Sequence, residues 1–242
     1  MWEMFQLSFM VNAFLACLIL GLLLSYLGIH VVGRGIVFVD LALGQISSLG
    51  VAIAEFLHFG EEWLPVLFTL VGALLLSLIH IRDKRLKLEA VIGIIYVVAA
   101  AVTVLVISKT PHGEADIQEV LFGALLAVTD TELVHLGVIF GVLVILHAVF
   151  YKQVFRITEQ LRRGEAVSFT LRDRLWNFFF YLSIGLAIVF AVRIGGVLPV
   201  FSYLVIPAVS ALMMTRRDLM ASILAVIIAG LAGYGGLWFA YT

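Results

Sequence analysis

A set of polar side chains lies in an otherwise apolar stretch, residues 33–55, that is long enough to cross a bilayer: Asp40, Gln45, Ser47, Ser48 and Glu55. At roughly 100° per residue, one side of such a helix, a polar sector about 100° wide, contains Asp40, Gly44, Ser47, Ser48 and Glu55. Gln45 lies beside this sector. A carboxylate inside a membrane costs about 2.5–3.5 kcal/mol on insertion scales, so it normally faces protein or a wet cavity. Two interpretations remain open: the sector is a closely packed seam between helices, or it is the wall of a path for a cation.

Further candidate metal ligands lie at the predicted outer end of that span and in the outer loop. Glu55 and His58 are one helical turn apart, which suits either an outer ion gate or an ordinary ion pair at a solvated helix end. His112, Glu114 and Asp116 alternate in a second polar stretch, which either collects cations or is a plain acidic loop. The candidate metal ligands are therefore Asp40, Glu55, His58 and His112.

The sequence lacks the short motifs of common nucleotide and hydrolase chemistry. It contains no GxxxxGK[ST], HExxH or GxSxG pattern, so we do not expect an enzyme, nor ATP hydrolysis by the P-loop route. The single cysteine, Cys17, lies in the first apolar segment, which excludes a disulfide framework and a cysteine-based metal cluster.

Composition indicates an integral membrane protein built from helices. Of the 242 residues, 63% are hydrophobic and 13% are charged, and the mean hydropathy is +1.16. A soluble domain of this length cannot cover so much apolar surface, and a bilayer admits only helices or closed barrels. The apolar runs reach about 20 residues without strict alternation, which favours helices. The net charge of −1 gives no indication of a nucleic-acid partner.

Apolar runs predict eight spans within a single transmembrane domain that covers residues 1–242. The first should end at Gly28, and no cleavable signal is expected because residues 1–7 lack a basic region. A shorter apolar helix, residues 115–128, cannot cross and is predicted to be re-entrant or interfacial. The predicted spans are residues 5–27, 35–57, 64–81, 88–108, 131–151, 175–192, 197–214 and 219–241.

Basic residues orient these spans. Thirteen of the fifteen lysines and arginines fall in alternate loops, and Lys109 and Arg193 alone fall on the other side. The positive-inside rule therefore predicts a multi-pass protein of the cytoplasmic membrane with both termini outside the cytoplasm.

One long polar segment, residues 152–174, interrupts the spans on the predicted cytoplasmic side. Residues 158–163 have helical character, and Gly164 would end that helix. Such a segment either docks into a groove of a partner protein or lies on anionic lipid headgroups. The residues predicted for docking are Thr158, Glu159, Gln160, Leu161, Arg162, Arg163 and Gly164.

Four stretches, in this order, resemble one family, the permease subunits of the metal-ion ABC importers for zinc, manganese and iron. They are GRGIVFVDLALGQISSLGVAIA at 33–54, EAVIGIIYVVAA at 89–100, LFGALLAV at 121–128 and RIGGVLPVFSYLVIPAVSALMMTRR at 193–217. The order and spacing match over nearly the whole chain, although any single stretch would be a weak signal.

The resemblance implies a prokaryotic importer that carries a divalent metal ion inward. Zinc is the metal expected before manganese or iron. It implies two copies of the permease, two ATP-binding subunits that hold ATP and Mg²⁺, and an extracytoplasmic metal-binding protein. No cofactor resides in the permease, and the 152–174 segment falls where the family couples to the ATPase. The alternatives are a permease of the same fold for another solute and a non-conducting scaffold subunit.

One departure from the family concerns the expected path residues, Asp40, Gln45, Ser47 and Ser48. Many members carry an acid and a histidine four residues apart on this helix, and an ungapped match puts Leu41 and Gln45 at those positions. Asp40 lies one residue earlier, about 100° round the helix. A neutral carbonyl oxygen is a poorer ligand for zinc than imidazole is. The path thus binds its ion loosely, uses Asp40 instead, or carries a different substrate.

Overall fold

Helices form every regular element in the part of the chain that the computed structural model describes, residues 3–79, 87–109, 123–163 and 170–241. Within these ranges, two short 3-10 turns, Glu3–Gln6 and Leu125–Ala127, accompany nine α-helices. The helices are α1 Ser8–Arg34, α2 Val39–Leu57, α3 Leu64–Leu78, α4 Leu88–Ile107, α5 Asp130–Val149, α6 Tyr151–Arg162, α7 Leu171–Gly195, α8 Val197–Met214 and α9 Asp218–Tyr241.

The all-helical membrane fold predicted from hydropathy is confirmed. Seven of the described helices are long and apolar enough to cross a membrane, and α3, at 15 residues, is a shorter apolar helix. Each of the eight predicted spans has its helix. The third was predicted to reach residue 81, but α3 ends at Leu78 and Ile79 is extended.

The predicted end of the first span at Gly28 is wrong. Helix α1 continues to Arg34 and is followed by Gly35, whose φ of +67° is the left-handed conformation that commonly ends helices. Gly28 instead allows close packing, because a Cβ there would overlap the carbonyl oxygen of Leu204 and lie 2.9 Å from the Cβ of Ala208. A glycine within an apolar run indicates either role, and only the partner helix distinguishes them.

The helix in the predicted cytoplasmic segment, residues 152–174, is longer than the sequence indicated. Helix α6 starts at Tyr151, one residue after α5 ends, whereas helical character was predicted only from Thr158. It ends at Arg162, and Gly164 lies outside the described residues. Of the predicted short helix at 115–128, residues 115–122 lie outside the described part, and Leu125–Ala127 is a 3-10 turn.

The chain divides into two compact units. The first comprises Met1–Val32, Leu121–Val149 and Phe190–Thr242. Its helices approach closely at small residues: a Cβ on Gly21 would lie 3.2 Å from the Cβ of Ala229, and one on Gly233 would lie 3.1 Å from the Cβ of Cys17. Helices α1, α8 and α9 therefore pack nearly backbone to backbone, as is usual where lipid removes the hydrophobic drive between helices.

The second unit comprises Gly33–Val120 and Phe150–Val189. Helix α2 packs against both α3 and α4 in this unit. Helix α3 also contacts α7, since a Cβ on Gly185 would lie 3.1 Å from the Cβ of Ala73. The sequence-based prediction of one domain stays a prediction.

The contact at Gly28 gives the first testable prediction. Gly28→Ala should lower the midpoint of thermal unfolding in detergent, because overpacking a close helix contact costs about 1–3 kcal/mol. Gly141→Ala is the matched control, since a Cβ at that position of α5 meets no atom within 4 Å. Equal midpoints for the two variants would contradict the assignment of Gly28 to helix packing.

Candidate translocation face and cytoplasmic helix

Asp40 lies at the start of α2 rather than well inside a span. The helix begins at Val39, so this carboxylate stands in the first turn, where the helix dipole favours a negative charge. Asp40 is only 2% exposed, and neither carboxylate oxygen has a hydrogen-bond partner in the described part of the chain. A buried carboxylate without a partner is costly, which makes it a candidate ligand for a passing cation.

The side chains through which α2 meets α3 point away from the polar sector. Asp40, Gly44, Ser47 and Ser48 are all buried. Contact with α3 is made through Leu43, Ile46 and Gly50: a Cβ on Gly72 would lie 2.7 Å from Ile46 Cδ1, and one on Gly50 would lie 2.7 Å from Pro65 Cα. On a regular helix these three residues point about 40° or more outside the sector.

Gln45 forms the contact with α4 on the other side of the sector. Its Nε2 donates to Thr103 Oγ1 at 3.3 Å, and that hydroxyl donates to the Ala99 carbonyl at 2.8 Å. The amide nitrogen is therefore used in packing, and the carbonyl oxygen is the part of Gln45 that could bind a cation. Leu41, where the resemblance predicts an acid, is half-buried.

Glu55 and His58 lie at the opposite end of α2. His58 adopts the left-handed conformation, with φ 51° and ψ 38°, which is uncommon for a residue other than glycine. Its N–H donates to the Glu55 carbonyl at 3.1 Å, and the Phe59 N–H donates to the Ala54 carbonyl at 3.1 Å. These two bonds form a Schellman cap, so the His58 backbone ends the helix while its side chain is exposed.

The other predicted metal ligand, His112, lies outside the described residues, as do Glu114 and Asp116. Within the described ranges, no group of three or more histidine, cysteine, aspartate or glutamate side chains could hold a metal ion. Asp40, Glu55 and His58 are thus not brought together in one cluster.

Helix α6, on the predicted cytoplasmic side, has a buried face and a charged face. Val154, Ile157 and Thr158 are buried, whereas Arg162 and Arg163 are exposed. Both arginines pair with the half-buried Glu159, at 3.0 and 2.8 Å. Of the residues predicted for docking, the two arginines lie on the accessible face, Gln160 and Leu161 are half-buried, and Thr158 points inward.

Residues that hold α6 in place were missed by the sequence analysis. Arg34 donates from Nε to Thr158 Oγ1 and from Nη1 to Asn177 Oδ1, each at 3.0 Å. Arg156 pairs with Asp173 at 2.7 Å. A signal for Arg34 was present, since it is the single basic residue between the first two spans and stands between two glycines.

Asp173 also belongs to a capping box that could have been predicted from the sequence. Its Oδ2 accepts a hydrogen bond from the Thr170 N–H at 3.1 Å, and its own N–H donates to Thr170 Oγ1 at 3.3 Å. This T-x-x-D arrangement starts α7, and the remaining carboxylate oxygen holds α6 through Arg156.

Comparison with known proteins identifies the family. The model of the ABC 3 transport family matches residues 6–242. The chain belongs to the ABC 3 transport family. This confirms the resemblance drawn from the four stretches, and the protein is a multi-pass membrane permease for metal transport.

Relatives of this ABC 3 permease are named for three different metals. It is 24% identical to a probable iron transport system membrane protein of Haemophilus influenzae, over 99% of this chain and 83% of that protein. It is 24% identical to the manganese transport system membrane protein MntC of Listeria monocytogenes, over 98% and 83%. It is 26% identical to the high-affinity zinc uptake system membrane protein ZnuB of Haemophilus influenzae, over 97% and 88%.

A solved structure supports the fold. PsaBC from Streptococcus pneumoniae in complex with Fab superposes with a TM-score of 0.80 at 20% sequence identity, covering 99% of this chain and 87% of that chain. At this identity, the similarity shows that the ABC 3 permease shares the fold of that protein.

The cap at His58 gives the second prediction. His58→Gly should leave thermal stability and metal uptake within about twofold of wild type, because glycine adopts the left-handed conformation without strain. His58→Val should lower the free energy of unfolding by about 1 kcal/mol, because a β-branched residue is strained there. Thermal unfolding in detergent and radioactive metal uptake by cells are the measurements. Lost uptake in a stable His58→Gly protein would instead make the imidazole a metal ligand.

Proposed function

We propose that this permease carries a divalent metal ion inward across the cytoplasmic membrane, driven by ATP that a separate ATP-binding subunit hydrolyses. The family, and relatives named for iron, manganese and zinc transport, support this substrate class. A second copy of the chain and an extracytoplasmic metal-binding protein complete the proposed assembly, with both termini outside the cytoplasm.

The polar sector of α2 is the observation that carries the proposed path. It is buried, it includes an unpartnered carboxylate, and it lies between the α3 contact on one side and Gln45 on the other. Packing against α3 uses other residues, and packing does not account for a buried carboxylate without a hydrogen-bond partner among the described residues, so we infer that this face meets a substrate. Asp40, Gln45, Ser47 and Ser48 are the proposed path residues.

The donor chemistry of this face bears on which metal is carried. The sequence-based expectation put zinc first, but the four side chains offer only oxygen donors to an ion. Carboxylate, carbonyl and water oxygens suit Mn²⁺, whereas Zn²⁺ is usually bound by imidazole or thiolate in proteins. We therefore expect this face to lack the zinc preference that imidazole ligands give, so that Mn²⁺, Fe²⁺ and Zn²⁺ are all proposed substrates between which geometry and delivery decide.

The accessible face of α6 is the proposed docking surface for the ATP-binding subunit. Arg162 and Arg163 stand exposed at the end of a short helix whose opposite face is buried, which leaves the charged side available to a partner. A partner groove with acidic residues would complement it. Lipid headgroups would attract the same charges and are the competing occupant.

ATP turnover of the assembled transporter tests the proposed function. The permease, its ATP-binding subunit and its delivery protein would be reconstituted in lipid and measured with Zn²⁺, Mn²⁺ and Fe²⁺ in turn. Stimulation by one ion supports metal import. Turnover that no metal changes would point to another solute in the same fold, and failure to co-purify any ATPase would point to a scaffold.

Asp40 gives the third prediction. Asp40→Asn should reduce metal-stimulated ATP turnover and metal uptake by about tenfold or more, because it removes the charge proposed to face the ion while keeping the side-chain shape. Asp218→Asn is the matched control, since Asp218 is also an acid in the first turn of an apolar span on the predicted cytoplasmic side. The Asp218→Asn variant loses the same stabilisation of about 0.3–1 kcal/mol from the helix dipole, but metal uptake should persist because Asp218 is not a proposed path residue. Equal losses in both variants would make Asp40 a helix-terminal residue only.

The arginine pair of α6 gives the fourth prediction. Reversing both charges, Arg162→Glu with Arg163→Glu, should weaken docking of the ATPase by about tenfold, measured as the dissociation constant in detergent or nanodiscs. Adding Glu159→Arg restores the ion pairs within the helix with the two charges exchanged. Docking should stay weak in this triple variant if the affinity for the ATPase depends on the charge of the surface. Reversal of Arg216 and Arg217, an exposed pair before α9, is the control. Unchanged docking in the first variant would remove α6 charge from the coupling role.

A further inference from the structure

The guanidinium of Arg34 joins three segments of the second unit at the predicted cytoplasmic surface. Arg34 is the last residue of α1, and its partners Thr158 and Asn177 lie in α6 and α7. Its Cζ also lies 3.6 Å from the ring centroid of Phe180 in α7. The three contacted residues are 1%, 8% and 0% exposed, so the junction is largely dry.

This geometry requires arginine rather than any cation. The two hydrogen bonds leave different nitrogens of the planar group, and the aromatic ring lies against its face. Lysine offers a single ammonium that cannot reach both acceptors in fixed directions and also stack on the ring. These three contacts depend on the shape of the guanidinium and on its hydrogen bonds.

Gly33 brings the same turn of α1 directly against α6. A Cβ on Gly33 would lie 3.0 Å from Thr158 Cγ2 and 3.0 Å from Arg162 Nη2. The absence of a side chain at 33 therefore lets α6 approach the helix end closely enough for Arg34 to reach Thr158.

A second, weaker contact fixes the earlier part of α6. Arg156 pairs with Asp173, but the Arg156 side chain is 49% exposed, so solvent screens that pair. Arg34, with its buried partners, is the stronger of the two attachments.

We propose that Arg34 is a positioning residue for coupling: it fixes α6 to the ends of α1 and α7, so that force applied to α6 reaches those helices instead of tilting α6 alone. This rests on the proposed function, in which α6 receives the ATPase. Docking itself depends on the exposed arginines of α6, whereas transmission depends on Arg34. The two steps should separate experimentally.

Arg34→Lys, which keeps the charge, is the first test, made in the full transporter in lipid. We expect the ATPase to bind within about twofold of wild type, while metal-stimulated ATP turnover per assembled complex falls by about tenfold. Thr158→Val removes the acceptor with little change in shape and should act in the same direction. The double variant should lower ATP turnover no further than Arg34→Lys alone does, because both changes break the same contact between Arg34 and Thr158. Arg216→Lys is the control for the lysine change on an exposed loop.

Hydrogen–deuterium exchange over α6, in the permease alone, tests the attachment without metal or ATPase. Exchange at residues 151–162 should be about tenfold faster in Arg34→Lys than in Arg216→Lys, because local opening of α6 becomes easier. Unchanged exchange, or unchanged stimulation per complex, would overturn the inference. If the wild-type complex shows no metal stimulation, the proposed function fails, and the exchange measurement still decides whether Arg34 holds α6.

Discussion

The absence of water in the bilayer core is the constraint on which the rest of this structure depends. Backbone groups must pair within each span, which makes helices of the apolar segments, and lipid supplies no hydrophobic drive to hold those helices together. Close approach must provide that attraction instead. Gly21, Gly28, Gly50, Gly72 and Gly185 each stand where another helix would meet a Cβ within 3.2 Å, so these five glycines mark helix contacts.

The same constraint separates residues that pack from residues available for a substrate. Hydroxyls in the spans bond to a carbonyl three or four residues earlier in their own helix, as Ser48, Thr69 and Ser183 do. Such residues cost little in an apolar setting and indicate no function by themselves. Asp40 cannot be satisfied in this way, because a carboxylate has no proton to donate to a backbone carbonyl. Its burial without a partner therefore carries more functional information than the serines beside it.

Features set by local sequence were predictable, and features set by distant partners were not. Hydropathy alone located a helix for each predicted span, seven of them long enough to cross a membrane, and basic loops predicted their orientation. The role of Gly28 was misjudged because its partner, Leu204, is 176 positions away in the sequence. Arg34 was missed for the same reason, since Thr158 and Asn177 lie 124 and 143 residues further along the chain. The polar sector of α2 could be predicted from helical spacing, but its separation from the α3 contact depends on where α3 packs.

The oxygen-only face of α2 is compatible with transport because a permease must release what it admits. A full set of protein ligands would bind a divalent ion too tightly for turnover, whereas one carboxylate with neutral oxygens allows the ion to move on. Gln45, held by its amide nitrogen to Thr103, presents its carbonyl oxygen in a fixed direction without adding charge. Selectivity then depends less on ligand strength at this face than on the geometry the face imposes and on the ion delivered to it. In the proposed arrangement, Gln45 in place of the histidine that the resemblance predicts would weaken binding of an ion that relies on imidazole more than passage of an ion held by oxygen.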